Sequence, residues 1–204
     1  MKKLYLTILL VVGASSAHAQ MSAKLPVQPN TDTVERRQFL QDIMACLAKA
    51  RPRWARQTLS YPYLGDAQSG AAAEAFSGND NCVRGDKVDV TFRTPGIIGG
   101  LAEYYLRTAY AQADFSRVSG SLQAMKPMNA SEEFAFCLAA RDPAVARDLT
   151  MSTIGSSAEA ALGRQLAGKA APCVGGGMQI SVDVQSLRAL MATALYRGVA
   201  PSSP

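Results

Sequence analysis

The sequence predicts a mainly helical (α+β) fold made of two copies of one half-domain, each with one short β-strand and one disulfide. Two observations favour this fold. The four cysteines recur at a fixed interval, and the apolar residues around them follow a helical period except in one short alternating segment per copy.

An internal repeat organises the chain. A shift of 91 residues aligns Cys46 with Cys137 and Cys82 with Cys173, so the cysteines of each pair are 36 residues apart. Around the first cysteine of each pair, the segments CLAKARPRWAR and CLAARDPAVAR share six of eleven residues. We therefore predict two copies of one structural unit, arranged about a pseudo-two-fold axis.

The two predicted copies are called the first half and the second half below. The first half covers residues 31–110 and the second half covers residues 129–198, with a linker over 111–128. We expect both halves to form a single globular domain over 31–198, joined by pairing between one strand of each half.

Capping residues and prolines predict where the first two helices of each half begin. Asp32 is the expected cap of the first helix, and Ser131 is the expected cap of its equivalent in the second half. Pro52 and Pro143 fit the first turn of the second helices, and Asp142 is the expected cap before Pro143.

The remaining elements of each half are two helices and a strand. A third helix is predicted over 68–77 and 156–167, and a last helix over 97–108 and 184–195. Apolar and polar residues alternate between Val88 and Phe92 and between Met178 and Val182, which predicts one short strand per half. Since an isolated strand leaves its backbone unpaired, we expect the two strands to pair with each other.

The amino terminus predicts export. Residues 1–19 have a basic start, a short apolar run and an Ala-His-Ala exit, as in a secretory signal peptide that is removed. The polar segments 20–30 and 199–204 are expected to be a disordered start and a flexible tail. We expect a periplasmic or secreted protein without stable membrane insertion.

An oxidising compartment favours disulfides between the four cysteines. The repeat favours Cys46–Cys82 with Cys137–Cys173, and the main alternative is Cys46–Cys173 with Cys82–Cys137. In the chain-entropy model, closing either favoured loop stabilises the fold by roughly 4 kcal/mol.

Charge and composition exclude several function classes. Two of the 21 lysines and arginines lie in the signal peptide, so the net charge of +5 falls to +3 and nucleic-acid binding is not expected. The one histidine, His18, also lies there, which excludes histidine-dependent catalysis and histidine metal sites in the mature chain. No cofactor or metal is predicted.

Duplicated arginines and clustered tyrosines are the possible ligand-binding residues. Arg56 matches Arg147 in the repeat, and such guanidinium groups suit carboxylate or phosphate ligands. Tyr104 and Tyr105 belong to an aromatic group concentrated in the first half that could line a ligand groove. Solvent-exposed helix faces or helix-end ion pairs would also explain the arginines, and core or interface packing would explain the tyrosines; these structural interpretations are the favoured ones.

These observations favour a non-catalytic, exported, disulfide-stabilised envelope protein that binds a partner protein or small ligand at the junction of its halves. One alternative is a histidine-independent envelope hydrolase that uses carboxylates, although no pair of acidic residues stands out in the sequence. The other alternative is a carrier of an anionic envelope ligand that uses the duplicated arginines.

Overall fold

The computed structural model describes residues 33–76, 82, 93–174 and 182–200. The predicted signal peptide, the segment 20–30 and residues 201–204 lie outside this range. The described residues form nine α-helices: α1 (Val34–Ala50), α2 (Pro52–Ser60), α3 (Asp66–Ala73), α4 (Thr94–Arg107), α5 (Val118–Ala124), α6 (Ala130–Arg141), α7 (Pro143–Met151), α8 (Ser157–Ala167) and α9 (Val184–Val199). The prediction of a mainly helical fold is confirmed.

The predicted strands have no support in the described part of the chain, which contains no strand. Val182 is the one residue of the two predicted strands that is described, and it lies in irregular backbone before α9. The other residues of these strands, 88–92 and 178–181, lie outside the described residues. The alternating pattern was therefore insufficient to establish a strand.

The caps of the first helices differ from those predicted. Thr33 caps α1, since its side chain accepts a hydrogen bond from the N–H of Arg36, while Asp32 lies outside the described residues. Asn129 caps α6 by accepting from the N–H of Glu132 at 3.0 Å, and the predicted cap Ser131 lies inside the first turn. Asn129 has the extended backbone that lets a cap side chain reach back to the helix.

The starts of α2 and α7 agree with the sequence. Pro52 and Pro143 are the first residues of these helices, where the missing N–H of proline has no helical partner to lose. Asp142 accepts a hydrogen bond from the N–H of Val145 at 3.2 Å and so caps α7 as predicted.

The helix α9 lies at the centre of the fold. Every residue from Leu187 to Tyr196 is buried, so α9 has no solvent-facing side over this stretch, as expected for a helix enclosed by others. It packs against α4, α7, α6 and α5, and α4 packs in turn against α1. The core therefore forms around the pair α4 and α9, which come from different halves.

Glycines allow α4 to approach its neighbours closely. A Cβ atom on Gly99 would lie 2.6 Å from Cβ and 2.8 Å from Cα of Ala189 on α9, and a Cβ on Gly100 would lie 2.7 Å from Cγ of Met44 on α1. All three distances are shorter than van der Waals contact. Glycine at these positions is therefore needed for the observed spacing between helices.

Two disulfides join cysteines within the halves. Cys46 is bonded to Cys82 and Cys137 to Cys173, each pair with Cα atoms 5.6 Å apart. This is the pairing that the equal spacing of the cysteines favours. Each disulfide ties the first helix of a half to the segment that follows its third helix.

None of the described helices is both long enough and apolar enough to cross a bilayer.

The close crossing of α4 and α9 can be tested with Gly99→Ala. We expect this variant to lose about 1–3 kcal/mol of unfolding free energy in urea denaturation, because the new methyl group collides with Ala189 backbone. The matched control is Gly70→Ala, in the exposed middle of α3, where nothing lies within 4 Å of the new atom. That control should gain up to about 1 kcal/mol from helix propensity, and equal stability of both variants would contradict the tight crossing.

Candidate functional site

The sequence-predicted arginines do not form one site. Arg56 is exposed on α2. Arg147 is half-buried on α7, with its guanidinium carbon 5.3 Å from the centre of the Phe115 ring and Nη1 3.7 Å from Oδ1 of Asp148. These different surroundings are those of surface and packing residues rather than of a shared ligand pocket.

The tyrosines pack against one another. Tyr105 is buried, donates its hydroxyl hydrogen to the carbonyl of Pro52 at 3.3 Å, and has its ring 5.2 Å from that of Tyr104 and 5.8 Å from that of Tyr196. Burial raises the pKa of Tyr196 to about 12, against the opposing influence of the positive charge on Arg56. The tyrosines are therefore chiefly a packed aromatic group between α4 and α9.

A buried cluster of charges lies instead at the junction of the halves. Its centre is Arg188 on α9, which is 3% exposed. Its Nε and Nη2 donate to the two carboxylate oxygens of Glu103 on α4, at 2.7 and 2.8 Å. Its Nη1 donates to Glu159 on α8 at 3.0 Å, so one guanidinium holds carboxylates from both halves.

Backbone groups complete the surroundings of Arg188. Its Nη2 also donates to the carbonyl oxygens of Thr150 at 2.8 Å and of Ser152 at 3.1 Å, at the end of α7. These carbonyls lie at a helix end, where the helix supplies no N–H donor, and both also accept from Nη2 of Arg107, at 2.8 and 3.4 Å, so two arginines share them. The guanidinium thus links α9 to α4, α7 and α8.

Further polar side chains surround the two carboxylates. Arg37 on α1 forms an ion pair with Glu159, and Gln41 donates to Glu103 at 2.6 Å. Arg107 has its Nη2 4.0 Å from the nearer oxygen of Glu103. The junction cluster consists of these six side chains: Arg37, Gln41, Glu103, Arg107, Glu159 and Arg188. Three guanidinium groups face two carboxylates, which gives the cluster a net charge of +1.

The electrostatics of the junction cluster keep its charges fixed. Burial alone would raise the pKa of Glu159, but the hydrogen bonds from Arg37 and the Gly155 N–H and the charges of Arg37 and Arg188 outweigh it, and the pKa is lowered. Burial opposes the charge of Arg188, yet its bonds to Glu103 and Glu159 raise its pKa. A general acid requires a protonated carboxyl at working pH, so Glu159 is unsuited to that role.

A small pocket opens beside the cluster, with a volume of about 40 Å³. Its floor consists of buried residues from both halves: Gly99, Glu103, Ile154, Arg188 and Ala189. Its mouth consists of half-buried residues: Arg37, Leu40, Gln41, Gly96, Gly100 and Gln185. We call it the junction pocket. Its size admits a few water molecules or one small chemical group rather than a whole metabolite.

No group of three or more His, Cys, Asp or Glu side chains in the described ranges is placed to hold a metal ion.

The sequence does indicate that some charged residues of this cluster are buried, although the comparison of the two repeats did not bring this out. Arg188 stands between Leu187 and a run of apolar residues, and Glu103 lies in the equally apolar stretch of α4. A charge on an otherwise buried helix needs a buried partner of opposite charge. The spacing of these residues along the chain, 85 positions, gives no indication that they meet.

The cluster can be tested with Glu159→Gln. At pH 7 the variant should lose about 3–5 kcal/mol of unfolding free energy, because Arg37 and Arg188 keep their buried charges without the carboxylate. The lowered pKa means that this stabilisation is present above the ordinary value of 4.5 and is lost as pH falls through the lower folded value.

The difference between wild type and Glu159→Gln should therefore shrink when denaturation is measured below pH 4.5. The matched control is Asp148→Asn, whose carboxylate pairs with Arg147 at the surface and should contribute less than about 1 kcal/mol. A difference that is small at pH 7, or the same at every pH, would contradict the described network.

Comparison with known proteins does not add a relative. No family model, curated protein or solved structure matches this chain. The proposals below therefore rest on the sequence and on the geometry of the described residues.

Proposed function

We propose that this chain is an exported, non-catalytic, disulfide-stabilised protein of the bacterial envelope, made of two related halves, that binds a small ligand or a partner at their junction. The signal-like residues 1–19 and the two disulfides support export to the periplasm or the medium. The observation that carries the proposal is the junction pocket, whose polar lining comes from both halves.

Related halves are supported by the order and spacing of the helices. The helices α2 and α3 begin 91 residues before α7 and α8, and α4 begins 90 residues before α9. Both disulfides span 36 residues. A duplication would explain why these intervals agree in structure as well as in sequence.

The backbone conformation at one loop position in each half also supports a duplication. Leu64 and Gly155 are 91 residues apart, and both adopt positive φ, at 57° and 79°. The N–H of Leu64 donates to the side chain of Gln68, and the N–H of Gly155 donates to Glu159, each at 2.8 Å. Leucine adopts positive φ only under constraint, so its presence there favours inheritance of a fixed loop shape.

Each half also contributes an arginine that binds the end of a helix in the other half. Arg107 of the first half donates to the carbonyl of Ser152 at the end of α7, and Arg197 of the second half donates to the carbonyl of Tyr61 at the end of α2. The pairs Arg107 and Arg197, and Tyr61 and Ser152, are themselves equivalent in the repeat. Such reciprocity is what a pseudo-two-fold axis between the halves would produce.

The arrangement gives no support to the carboxylate hydrolase. Glu103 and Glu159 meet at Arg188, but each accepts charge-assisted hydrogen bonds that hold it in place as a counter-ion. Nor do Arg56 and Arg147 provide a common anion site, because they have different neighbours. A binding role centred on the junction pocket is therefore the function we favour.

The location of the binding site can be tested by mapping small probes on the mature, oxidised protein. We expect isopropanol, acetamide and acetate to shift the same amide signals in ¹⁵N NMR spectra, those of residues around the junction pocket, because ligand sites bind diverse small groups. In Ile154→Tyr, which places a larger ring at the pocket floor, the shifts produced by all three probes should disappear.

The matched control is Met128→Tyr, which adds a ring of the same kind at an exposed position outside the pocket lining. This variant should bind the probes as wild type does. Shifts that concentrate on another surface, or that persist unchanged in a folded Ile154→Tyr variant, would rule out the junction pocket as the site.

A further inference from the structure

We infer that the junction pocket binds an uncharged carboxamide group, carried either by a free small amide or by a glutamine or asparagine side chain of a partner protein. This inference rests on the proposed function and names the chemistry of its ligand. Its basis is a pair of backbone groups at the pocket whose equivalents in the first half are bound by side chains.

The turns before α3 and α8 have the same shape. In each turn an N–H donates to the carbonyl three residues earlier, from Gly65 to Pro62 at 3.0 Å and from Ser156 to Thr153 at 3.1 Å. Donors and acceptors of the two turns are 91 residues apart, as are the two residues of positive φ beside them. The residue that follows the accepting carbonyl therefore has an equivalent position in both turns.

In the first half this residue is Tyr63, and side chains at the start of α6 bind both of its backbone groups. Its N–H donates to Oε1 of Glu132 at 2.7 Å, and its carbonyl accepts from Nδ2 of Asn129 at 2.7 Å. Both partners belong to the first turn of α6 and its cap, so the two backbone groups face the same helix end. This turn therefore binds one hydrogen-bond acceptor and one amide donor side by side.

In the second half the corresponding residue is Ile154, which lines the junction pocket and is 8% exposed. Within the described ranges, no group accepts a hydrogen bond from its N–H and none donates one to its carbonyl. Gln41 corresponds to Glu132, because each lies inside a helix five positions before the first cysteine of its half, but Gln41 donates to Glu103 instead. Since buried backbone groups are nearly always paired, a ligand with one acceptor and one donor would complete this turn.

The charges around the pocket favour an uncharged ligand. The two arginines that line it, Arg37 and Arg188, are balanced by Glu159 and Glu103. Arg107 supplies the remaining positive charge of the junction cluster, but it does not line the pocket and binds the end of α7. An entering carboxylate would therefore lose its water without gaining a counter-ion, whereas a neutral carboxamide has no charge to desolvate.

The volume of the pocket agrees with this choice. A cavity needs roughly 10–15 Å³ to hold one water molecule, and the pocket has about 40 Å³. Its capacity is therefore near three small heavy atoms, the number in a carboxamide group. The oxygen of a carboxamide accepts from an N–H while its nitrogen donates to a carbonyl, which a ketone of the same shape cannot do.

The inference can be tested by titrating acetamide, acetone and sodium acetate separately into the ¹⁵N-labelled, oxidised protein at pH 7 and constant ionic strength. Acetone is the matched control, because it has the shape and the acceptor oxygen of acetamide but no N–H donor. We expect saturable shifts with acetamide, centred on the amide signal of Ile154. Acetone should bind about two- to tenfold more weakly because one hydrogen bond is lost, and acetate should also bind more weakly because its charge has no counter-ion there.

A larger side chain at the turn checks the location of this preference. Ile154→Tyr, which introduces the residue of the equivalent position in the first half, should abolish the saturable acetamide shifts. Met128→Tyr adds the same ring at an exposed position and should keep both the shifts and the preference for acetamide over acetone.

Two peptides distinguish the sources of the carboxamide. Acetyl-Ala-Gln-Ala-N-methylamide carries it on a side chain, and acetyl-Ala-Met-Ala-N-methylamide has a side chain of similar length without it. Tighter binding of the glutamine peptide than of acetamide and of the methionine peptide would indicate a protein partner. Tighter binding of acetamide than of either peptide would indicate a free amide, and either result supports the carboxamide site. A methionine peptide that binds as tightly as the glutamine peptide, and more tightly than acetamide, would contradict it.

The wild-type titrations decide the question even if Ile154→Tyr fails to fold. Acetone or acetate that binds at the pocket as tightly as acetamide would overturn the inference. In that case the proposed binding function stands, because small groups still bind at the pocket, and the carboxamide ligand is wrong. If no probe shifts the signals around the pocket, both proposals fail.

Discussion

The guanidinium of Arg188 is the constraint around which the two halves are assembled. A buried charge is tolerated only when neighbouring groups replace the water it has lost, and this one needs partners from three other helices. Glu103, Glu159 and the end of α7 must all be in position together for that to happen. The cluster therefore restricts how α9 can be rotated or shifted against α4, α7 and α8, in a way that apolar packing alone does not.

Apolar packing supplies the rest of the order. The buried length of α9 and the glycine-containing face of α4 bring the two halves together at a very short separation, and the disulfides restrain each half near its own first helix. The stability of the fold and the selection of one specific packing arrangement thus have different sources. Burial of leucine and alanine side chains favours compaction, while the charge cluster and the close crossing select one arrangement among the compact ones.

Local chemistry explains which parts of the fold could be predicted. Pro52, Pro143 and Asp142 act on their own turns, so the starts of α2 and α7 follow from the sequence. The cysteine spacing likewise favoured the observed disulfides. Prediction failed where distant partners decide the outcome: Glu103 and Arg188 are 85 residues apart, and neither has a local signal that identifies the other. It also failed for Ser131, where the competing side chain of Asn129, two residues earlier, takes the capping role.

The reciprocal contacts of Arg107 and Arg197 have a consequence for folding. Each arginine binds the end of a helix that belongs to the other half, where it adds to a donor from that helix's own half, Arg188 for Ser152 and Gln68 for Tyr61. Separate folding of the halves, followed by docking, would pass through a state that lacks these contacts and keeps the charges of Glu103 and Arg188 apart. The two halves are therefore expected to gain and lose their structure in one cooperative transition, even though each has its own disulfide and its own set of helices.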